Sequence, residues 1–445
     1  MAEEGDSLMP SLADIRESLA LAESLASASL LTSPGAKRRL AARSLELGED
    51  PSTGVYTPPK HLLLYLVRMG SFTSAPKILN EDTQDADVEL PALMSREELL
   101  QHCHQQLENL PALVKRSFRR LRPQFGDTSE GVRVLQWNVL SRVCGEAVSS
   151  PYHIRVLQWN VLSQALGQMN DNFVCCPDEA LEWRSRRYHI VEEIVEYCPD
   201  IVCLQEVDHF TFLKTVLGTQ GYNGIFFPKP DSPCLYIKGN NGPDGCAIFY
   251  REDKFELLKT VTRVLEVWRV QSNQVAVVMV LRVRETGQEI CVATTHLKAR
   301  TGALLSTLRN EQGKDVLDFV TTHHGGRPVI ICGDFNAEPT EPVYRTVMNC
   351  EALRLASAYA SSRDSADTSP IEPPYTTWKI REEGEVCHTI DYVFYSQDNF
   401  TVEAVLDFPT GEEIGEGRVP SFCYPSDHFS LVCDFRFKDA NEVAP

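Results

Sequence analysis

No stretch of this 445-residue chain is apolar for long enough to cross a bilayer: the longest strongly apolar run near its start, residues 62–69, contains Arg68 and falls well short of the roughly 20 residues a membrane helix needs. The amino terminus, Met1-Ala-Glu-Glu-Gly-Asp6, lacks the basic start of a secretory signal or a mitochondrial presequence. A cytoplasmic protein without membrane insertion is therefore expected, with mitochondrial import disfavoured. A short basic run, Lys37-Arg38-Arg39, leaves nuclear entry open beside the plainer reading of a solvated patch. The 14 cysteines include no Cys-x-x-Cys pair and no regular spacing, which argues against a disulfide scaffold or a zinc ribbon. In His102-Cys103-His104, the one dense cluster of soft ligands, consecutive helical side chains diverge and cannot meet on one metal.

Positive charge is also scarce, with 43 Lys and Arg against 62 Asp and Glu, a formal charge of −19. A protein that tracks a long polyphosphate usually presents a broad basic groove, because binding displaces counterions. Here such a polymer would have to be held by a local patch, whereas a small phosphorylated molecule needs only a few cations.

The chain divides into a largely flexible amino-terminal region (1–94), a helical lead-in with a duplicated strand segment (95–153), a catalytic domain (154–437) and a tail (438–445). Ser95-x-x-Glu98 is a capping box, opening a helix to about residue 109 with Leu99, Leu100, Cys103 and Leu107 on its apolar face. The nonapeptide Arg133-Val-Leu-Gln-Trp-Asn-Val-Leu-Ser141 recurs unchanged as Arg155-Val-Leu-Gln-Trp-Asn-Val-Leu-Ser163, 22 residues later. Two copies do not make a solenoid, and a sheet has one slot for a given strand. The second copy runs directly into the pattern that follows and is read as the native strand, with Asn138 a rival to Asn160. A protein lacking residues 133–154 is then expected to be at least as stable and active.

An α/β alternation follows. Residues 179–197 have helical periodicity and stop at Pro199-Asp200. Strands are expected at 201–206, 246–250, 274–283, 290–296, 329–332, 389–395 and 430–436, with a polar loop at 361–374. Hairpin-like neighbours mixed with helices argue for mixed sheets.

Several strand ends carry chemistry. Ile201-Val-Cys-Leu-Gln-Glu206 finishes an apolar run with a carboxylate, which is costly to bury unless it is paired or holds a cation; an exposed strand-end Glu is the bland alternative. In Gly333-Asp334-Phe-Asn336 the acid and amide are two apart and would project to one side of an extended segment, with Gly333 permitting a sharp turn. They suit orienting a water and a phosphoryl oxygen, although an Asx turn would use the same residues. His296, Lys298 and Arg300 alternate on one face and make a phosphate-sized cation set, unless the edge is merely solvated. Asp391 on a strand and Asp427-His428 complete the set, since a histidine needs a partner to fix its tautomer.

In this order, Asn160, Glu206, His296, Asp334, Asn336, Asp391 and Asp427-His428 resemble the endonuclease/exonuclease/phosphatase superfamily over about residues 154–437. The resemblance implies an α/β fold, a four-layered sandwich of two mixed β-sheets flanked by helices. It further implies Mg²⁺ held by Glu206 with Asn160 close by, and Asp334 orienting or deprotonating the attacking water. Asn336 would bind a phosphoryl oxygen, His428 held by Asp391 would stabilise the transition state, and Asp427 would support the metal or the histidine. Lys229, Lys298, Arg300 and Arg381 would clamp phosphates with His296 beside them, and Asn273 would touch the substrate.

The segments Phe227-Pro-Lys229-Pro, Asn240-Asn-Gly-Pro-Asp-Gly-Cys246, His296-Leu-Lys-Ala-Arg-Thr-Gly302 and Pro374-Tyr-Thr-Thr-Trp-Lys-Ile-Arg381 look like one branch of the superfamily. That branch is understood to remove the 2′-phosphate of NADP⁺ and NADPH, and a role in biological rhythms follows only from the same likeness. The dinucleotide NADP(H) is therefore the expected substrate of a monomeric catalytic domain. RNA is the alternative partner, for a 3′-exoribonuclease trimming poly(A), and an inactive binding protein is the second alternative.

Overall fold

The computed structural model describes residues 88–121, 150–169, 171–360 and 371–438. The first copy of the repeat and most of the polar 361–374 stretch lie outside these residues. With strands numbered along the chain, the first sheet runs in space as β1 (Phe118–Arg120), β14 (Phe400–Leu406), β15 (Leu431–Phe437), β2 (His153–Asn160), β3 (Ile201–Val207), β5 (Gly245–Arg251) and β4 (Tyr222–Pro228). The second runs as β10 (Leu355–Ser357), β13 (Asp391–Ser396), β9 (Val329–Asp334), β8 (Glu289–His296), β7 (Val270–Val283) and β6 (Phe255–Val267). A two-stranded ribbon pairs β11 (Thr377–Arg381) with β12 (Gly384–His388). Each large sheet is mixed: β2–β3 and β8–β9 are parallel, and their other pairings are antiparallel.

Among the described residues the α-helices are α1 (Arg96–Gln106), α2 (Gln164–Met169), α3 (Asp178–Leu181), α4 (Trp183–Tyr197), α5 (Phe210–Gly218), α6 (Ala303–His324), α7 (Pro342–Met348) and α8 (Gly411–Ile414). Strand alternation explains the layering, because successive side chains leave opposite faces of a sheet. On β2 and β3, Ile154, Val156, Ile201 and Cys203 face the second sheet, where they meet Val277, Met279, Val292, Ile330 and Cys332. Their neighbours Leu157, Trp159, Val202 and Leu204 face Ile190, Val191, Ile194 and Phe212 of α4 and α5. The second sheet's outer face is covered by Val316, Phe319, Val320 and Val343 of α6 and α7. The expected order of helices, sheet, sheet and helices is the order found.

The second repeat copy forms β2, hydrogen-bonded between β15 and β3 and buried along seven of its eight residues. Deleting residues 133–154 would join Val132 to Arg155, so a valine would stand where Ile154 is 1 % exposed and a glycine where His153 meets Glu403 at 3.0 Å. The expectation of unchanged stability therefore needs adjusting. Ile→Val burial costs about 1 kcal/mol, so the shortened protein should melt a few degrees lower by calorimetry while keeping its hydrolytic rate. A collapse of that rate would mean that the other copy supplies the strand.

The lead-in helix is shorter than expected, ending at Gln106, but its capping box forms in full between Ser95 and Glu98. Leu99, Cys103 and Leu107 are buried against the first sheet's helices, while His104 turns to Glu192 at 2.9 Å. Arg116 ties the segment before β1 into the domain. Its side chain is 1 % exposed and contacts Glu193 at 3.1 Å, with Ser430 Oγ accepting a further bond at 2.8 Å. The single helix expected over 179–197 is broken at Glu182, which is extended. Arg186 Nε donates to the freed Leu181 carbonyl at 3.1 Å, so the break leaves that carbonyl satisfied. Long α6, α5 and strands β4, β6 and β14 were not expected from the sequence.

Candidate active site

Four strands deliver side chains to one edge of the sandwich. Parallel β2 and β3 end at Asn160 and beside Glu206, and parallel β8 and β9 end at His296 and Asp334. Antiparallel strands return from the same edge: β13 opens with Asp391 directly opposite Asp334, and His428 stands three residues before β15. Carboxyl ends of parallel strands are where open α/β sheets gather ligands.

Local strain aims several of these side chains. The β3–β5 register shifts between Leu204 and Val207, and Glu206 sits at φ 54°. This bulge breaks the alternation that would otherwise turn Glu206 toward the outer helices. Asn336 is at φ 49°, and its N–H donates to Asp334 Oδ1 at 2.8 Å. The Asx turn is thus realised, and it brings acid and amide to one place without an extended strand. Gly333 acts differently from expectation. It has no positive φ; a Cβ there would lie 2.5 Å from the Thr295 carbonyl oxygen, so glycine permits close approach of β8 and β9.

The centre is continuous across both sheets. Asn160 Nδ2 donates to Glu206 Oε1 and Asp334 Oδ2, both at 3.0 Å, while its Oδ1 accepts the Leu162 N–H at 3.1 Å. Glu206 Oε2 accepts the Ser163 N–H at 3.2 Å. His428 Nδ1 lies 2.8 Å from Asp391 Oδ2, which also accepts from Thr376 Oγ1 at 2.7 Å. His428 Nε2 faces Asp334 Oδ2 at 3.8 Å and Asp427 Oδ2 at 3.7 Å. Beneath them a reciprocal amide pair of the first sheet, Gln158 and Gln205, reaches the second. Gln158 Nε2 donates to Gln205 Oε1 at 2.8 Å, and Gln205 Nε2 reaches Thr294 Oγ1 at 2.9 Å. Buried and mutually satisfied, such a network fixes one arrangement of the two sheets.

Electrostatics separate the roles. Burial pulls the His428 imidazole down, but Asp391 and Asp427 outweigh it and lift its pKa to about 9. Burial and neighbouring Asp391 push Asp334 up to about 7. Burial would also raise Asp427, yet Lys379, 2.5 Å away, His428 and Arg381 hold it below the usual carboxylate range. His296 is driven well down, by burial first and then Lys229 and His428, so it is neutral and accepts from Lys229 Nζ at 3.3 Å. Lys229 stays charged against its own burial because Asp244 lies 2.6 Å away. Burial, Arg300 and Lys229 lower Lys298 to about 8.

These shifts set a pH dependence for the metal-free protein. A histidine raised to about 9 from 6.5 contributes stability in full below 6.5 and loses it as pH rises through 9. A carboxyl raised to about 7 from 3.8 likewise favours folding at low pH and loses that contribution as pH rises through 7. The melting temperature in chelator should therefore fall from about pH 4 to about 9, with Asp334 acting below pH 7 and His428 above it, and Asp334→Asn should flatten the part of that fall below pH 7. A flat profile in the unaltered protein would refute the paired charge states.

The expected phosphate clamp is partly regrouped. Lys298 and Arg300 are not in register with His296, because β8 ends there and residues 297–302 form a loop. Buried Arg309 pins that loop by donating to the Lys298 carbonyl at 3.1 Å and the Arg300 carbonyl at 2.6 Å. Arg381 lies on the other flank, 3.2 Å from Asp171 and 3.8 Å from Asp427. Asn273 spends its amide on a loop: Oδ1 accepts the Asp231 N–H at 2.8 Å, and Nδ2 donates to the Asp231 carbonyl. Asn336 Nδ2 donates to the Leu297 carbonyl at 3.1 Å and lies 3.0 Å from His296 Nε2.

Sequence reasoning missed Gln158, Gln205, Lys379, Asp171 and Arg186. Buried Arg186 donates to the Val161 and Pro425 carbonyls at 3.0 Å each, holding together the loops that follow Asn160 and precede Asp427. Lys379 had a signal, being two residues from Arg381 on one strand face. The glutamines had none, since amides in apolar strands look like surface positions.

The donor set also bears on a metal. Glu206, Asp334, Asp391 and Asn160 form an oxygen-rich edge suited to a hard divalent cation. Asp334, Asp391 and His428 place ligand atoms within 4.8 Å of one another. His428, protonated and bound to Asp391, is unsuited as a ligand. Glu206, half-buried with one hydrogen bond on each oxygen, fits better; Asn160 would have to turn its amide, whose nitrogen now faces the carboxylates.

Fold and site together define a hydrolase of the two-sheet α/β-sandwich class. The chain belongs to the Endonuclease/Exonuclease/phosphatase family, whose model matches residues 157–428, and within it to the nocturnins. It is 53 % identical to Nocturnin of Drosophila melanogaster over 95 % of this chain and 73 % of that one. The solved human Nocturnin catalytic domain with bound sulfate anion matches at TM-score 0.55 and 41 % identity, covering 73 % of this chain and 98 % of that domain. A more distant relative is the CCR4-Not complex 3′-5′-exoribonuclease subunit Ccr4 of Debaryomyces hansenii, 29 % identical over 59 % of this chain and 36 % of its own.

Proposed function

We propose that the chain is a Mg²⁺-dependent phosphatase that removes the 2′-phosphate of NADP⁺ and NADPH. The observation that carries this reading is the pairing of a hydrolytic centre with a few close cations. Lys229 and Arg300 both act on the charge of Lys298, and Lys229 reaches His296 beside Asp334. A phosphomonoester carries nearly two charges, enough for such a cluster to hold. In a chain of charge −19 a long RNA backbone gains less from the remaining surface. The sulfate bound by the human relative is an anion of similar size and shape.

Glu206, with Asn160, would hold Mg²⁺, which supplies Lewis-acid neutralisation of the phosphoryl charge. Asp334, with its pKa near neutrality, takes a proton from water as the water oxygen bonds to phosphorus and the P–O2′ bond breaks. His428, charged and held by Asp391, donates to a phosphoryl oxygen or to the departing 2′-oxygen. Lys229, Lys298 and Arg300 bind the remaining oxygens, and Asn336 supports His296 beside them.

Purified protein given Mg²⁺ and NADPH should release inorganic phosphate and leave NADH. Shortening of an adenylate oligomer without phosphate release from NADPH would replace this reading with the exoribonuclease one.

A further inference from the structure

The hairpin joining β6 to β7 closes with the pair Val267↔Val270, so its turn consists of Trp268 and Arg269 alone. Both residues have positive φ, 48° and 65°. A two-residue turn of this kind favours Asn-Gly or Asp-Gly, which enter the left-handed region cheaply; tryptophan followed by arginine is among the costlier choices. Trp268 is also the exposed tryptophan of the described residues, at 39 %, whereas Trp159 and Trp183 are buried. The turn thus combines backbone strain with unburied aromatic surface, and strain of this sort gathers where function requires it. Glu206, Arg300 and Asn336 at the site share the same backbone feature, as do Cys198, Arg354 and Arg418 elsewhere, so the position of the turn has to carry the argument.

The hairpin's position gives the strain a use. β7 and β8 last pair at Ala276↔Thr295, one residue before His296. Beyond that point β7 continues through residues 270–275, roughly 20 Å of extended chain at about 3.4 Å per residue. The tip therefore overhangs the edge of the sandwich that carries the site. It leans on the cation loop's helix, because Val267 packs with Leu308, and Val270 and Leu305 pack against that pair. Val267 and Lys298 line one small cleft.

We infer that the Trp268-Arg269 turn is a substrate-contacting element, with the Trp268 indole stacking on a heteroaromatic ring of the dinucleotide whose phosphate lies at the Lys298 loop. This rests on the dinucleotide reading for the identity of the ring. An indole face takes any nucleobase-like ring, and Arg269 beside it adds charge toward the pyrophosphate.

The test compares Trp268→Ala, Trp268→Phe and the double variant Trp268→Asn/Arg269→Gly by steady-state kinetics and melting. For NADPH, Trp268→Ala should raise KM about 10-fold or more with kcat within about twofold, and Trp268→Phe should recover most of the loss. The double variant should melt higher, its turn relaxed, and bind NADPH as poorly as Trp268→Ala. Tyr152→Ala, at the opposite end of β2, serves as the control. A KM for Trp268→Ala within about twofold of the unaltered protein overturns the inference. Failure of the unaltered protein to hydrolyse NADPH would instead sink the proposed function. In that case the same variants are titrated with an adenylate oligomer: a loss of affinity of about 10-fold for Trp268→Ala supports ring stacking by the turn, and unchanged affinity overturns it.

Discussion

Replacing Glu206 with alanine is expected to lower Mg²⁺-dependent phosphate release by about 10³-fold or more, since the metal's neutralisation of phosphoryl charge is worth several kcal/mol. The residue's setting explains why the loss should fall on chemistry and not on folding. Glu206 is half-buried and held at a bulge with positive φ. Its charge adds to the burden on Asp171, so removing it relieves repulsion in the metal-free protein. The melting temperature in chelator should change little, whereas the stabilisation on adding Mg²⁺ should disappear. Glu206→Gln separates charge from hydrogen bonding: it can still accept from Asn160 or Ser163 but should be nearly as inactive. Turnover by Glu206→Ala close to that of the unaltered protein would disprove the assignment and readmit an inactive centre.

His428→Gln should reduce the rate by about 10²- to 10⁴-fold, the range for losing a positioned acid or a charge-stabilising donor. Its side chain and that of Asp391 are 4 % and 0 % exposed, so the imidazolium acts where water does not screen it. Glutamine is preferred to alanine because its amide can still donate to Asp391, which alanine would leave with only its neutral donors Thr376 and Gln158. The pH profile gives an independent readout. In the unaltered protein the rate should fall as pH rises through about 9, where His428 loses its proton, and the residual rate of His428→Gln should lack that limb. An alkaline limb that survives the substitution would move the titrating group elsewhere. Asp391→Asn should shift the same limb to lower pH, because Asp391 is the largest influence raising His428.

Much of the site was legible because its parts lie at strand ends, where an apolar run stops on a polar residue. Glu206, His296 and Asp334 each close such a run, and all three meet at one edge of the sandwich. What misled was the extension of strand logic past those ends. Alternation suggested a common face for His296, Lys298 and Arg300, but Arg309 from the second turn of α6 holds residues 298–300 as a loop. Asn273, expected to touch the substrate, also bonds through its amide to the Asp231 main chain, a role its sequence position did not show. Strands such as β6, with an irregular burial pattern over 13 residues, carry weak periodicity, and α6 mixes polar residues through its 22.

By itself the sequence determined the hydrophobic periods that sort residues into helices and strands, the capping box at Ser95, and the polar residues that end the buried strands. Those are local properties, fixed within a few residues of chain. Only the tertiary structure decided that Gln158 and Gln205 of the first sheet would bond to Asp391 and Thr294 of the second, that Lys379 would govern the charge of Asp427, and that a strained Trp268-Arg269 turn would overhang the cations. Each depends on residues far apart in the chain being brought within a few ångströms, and on burial that turns weak polar contacts into strong ones.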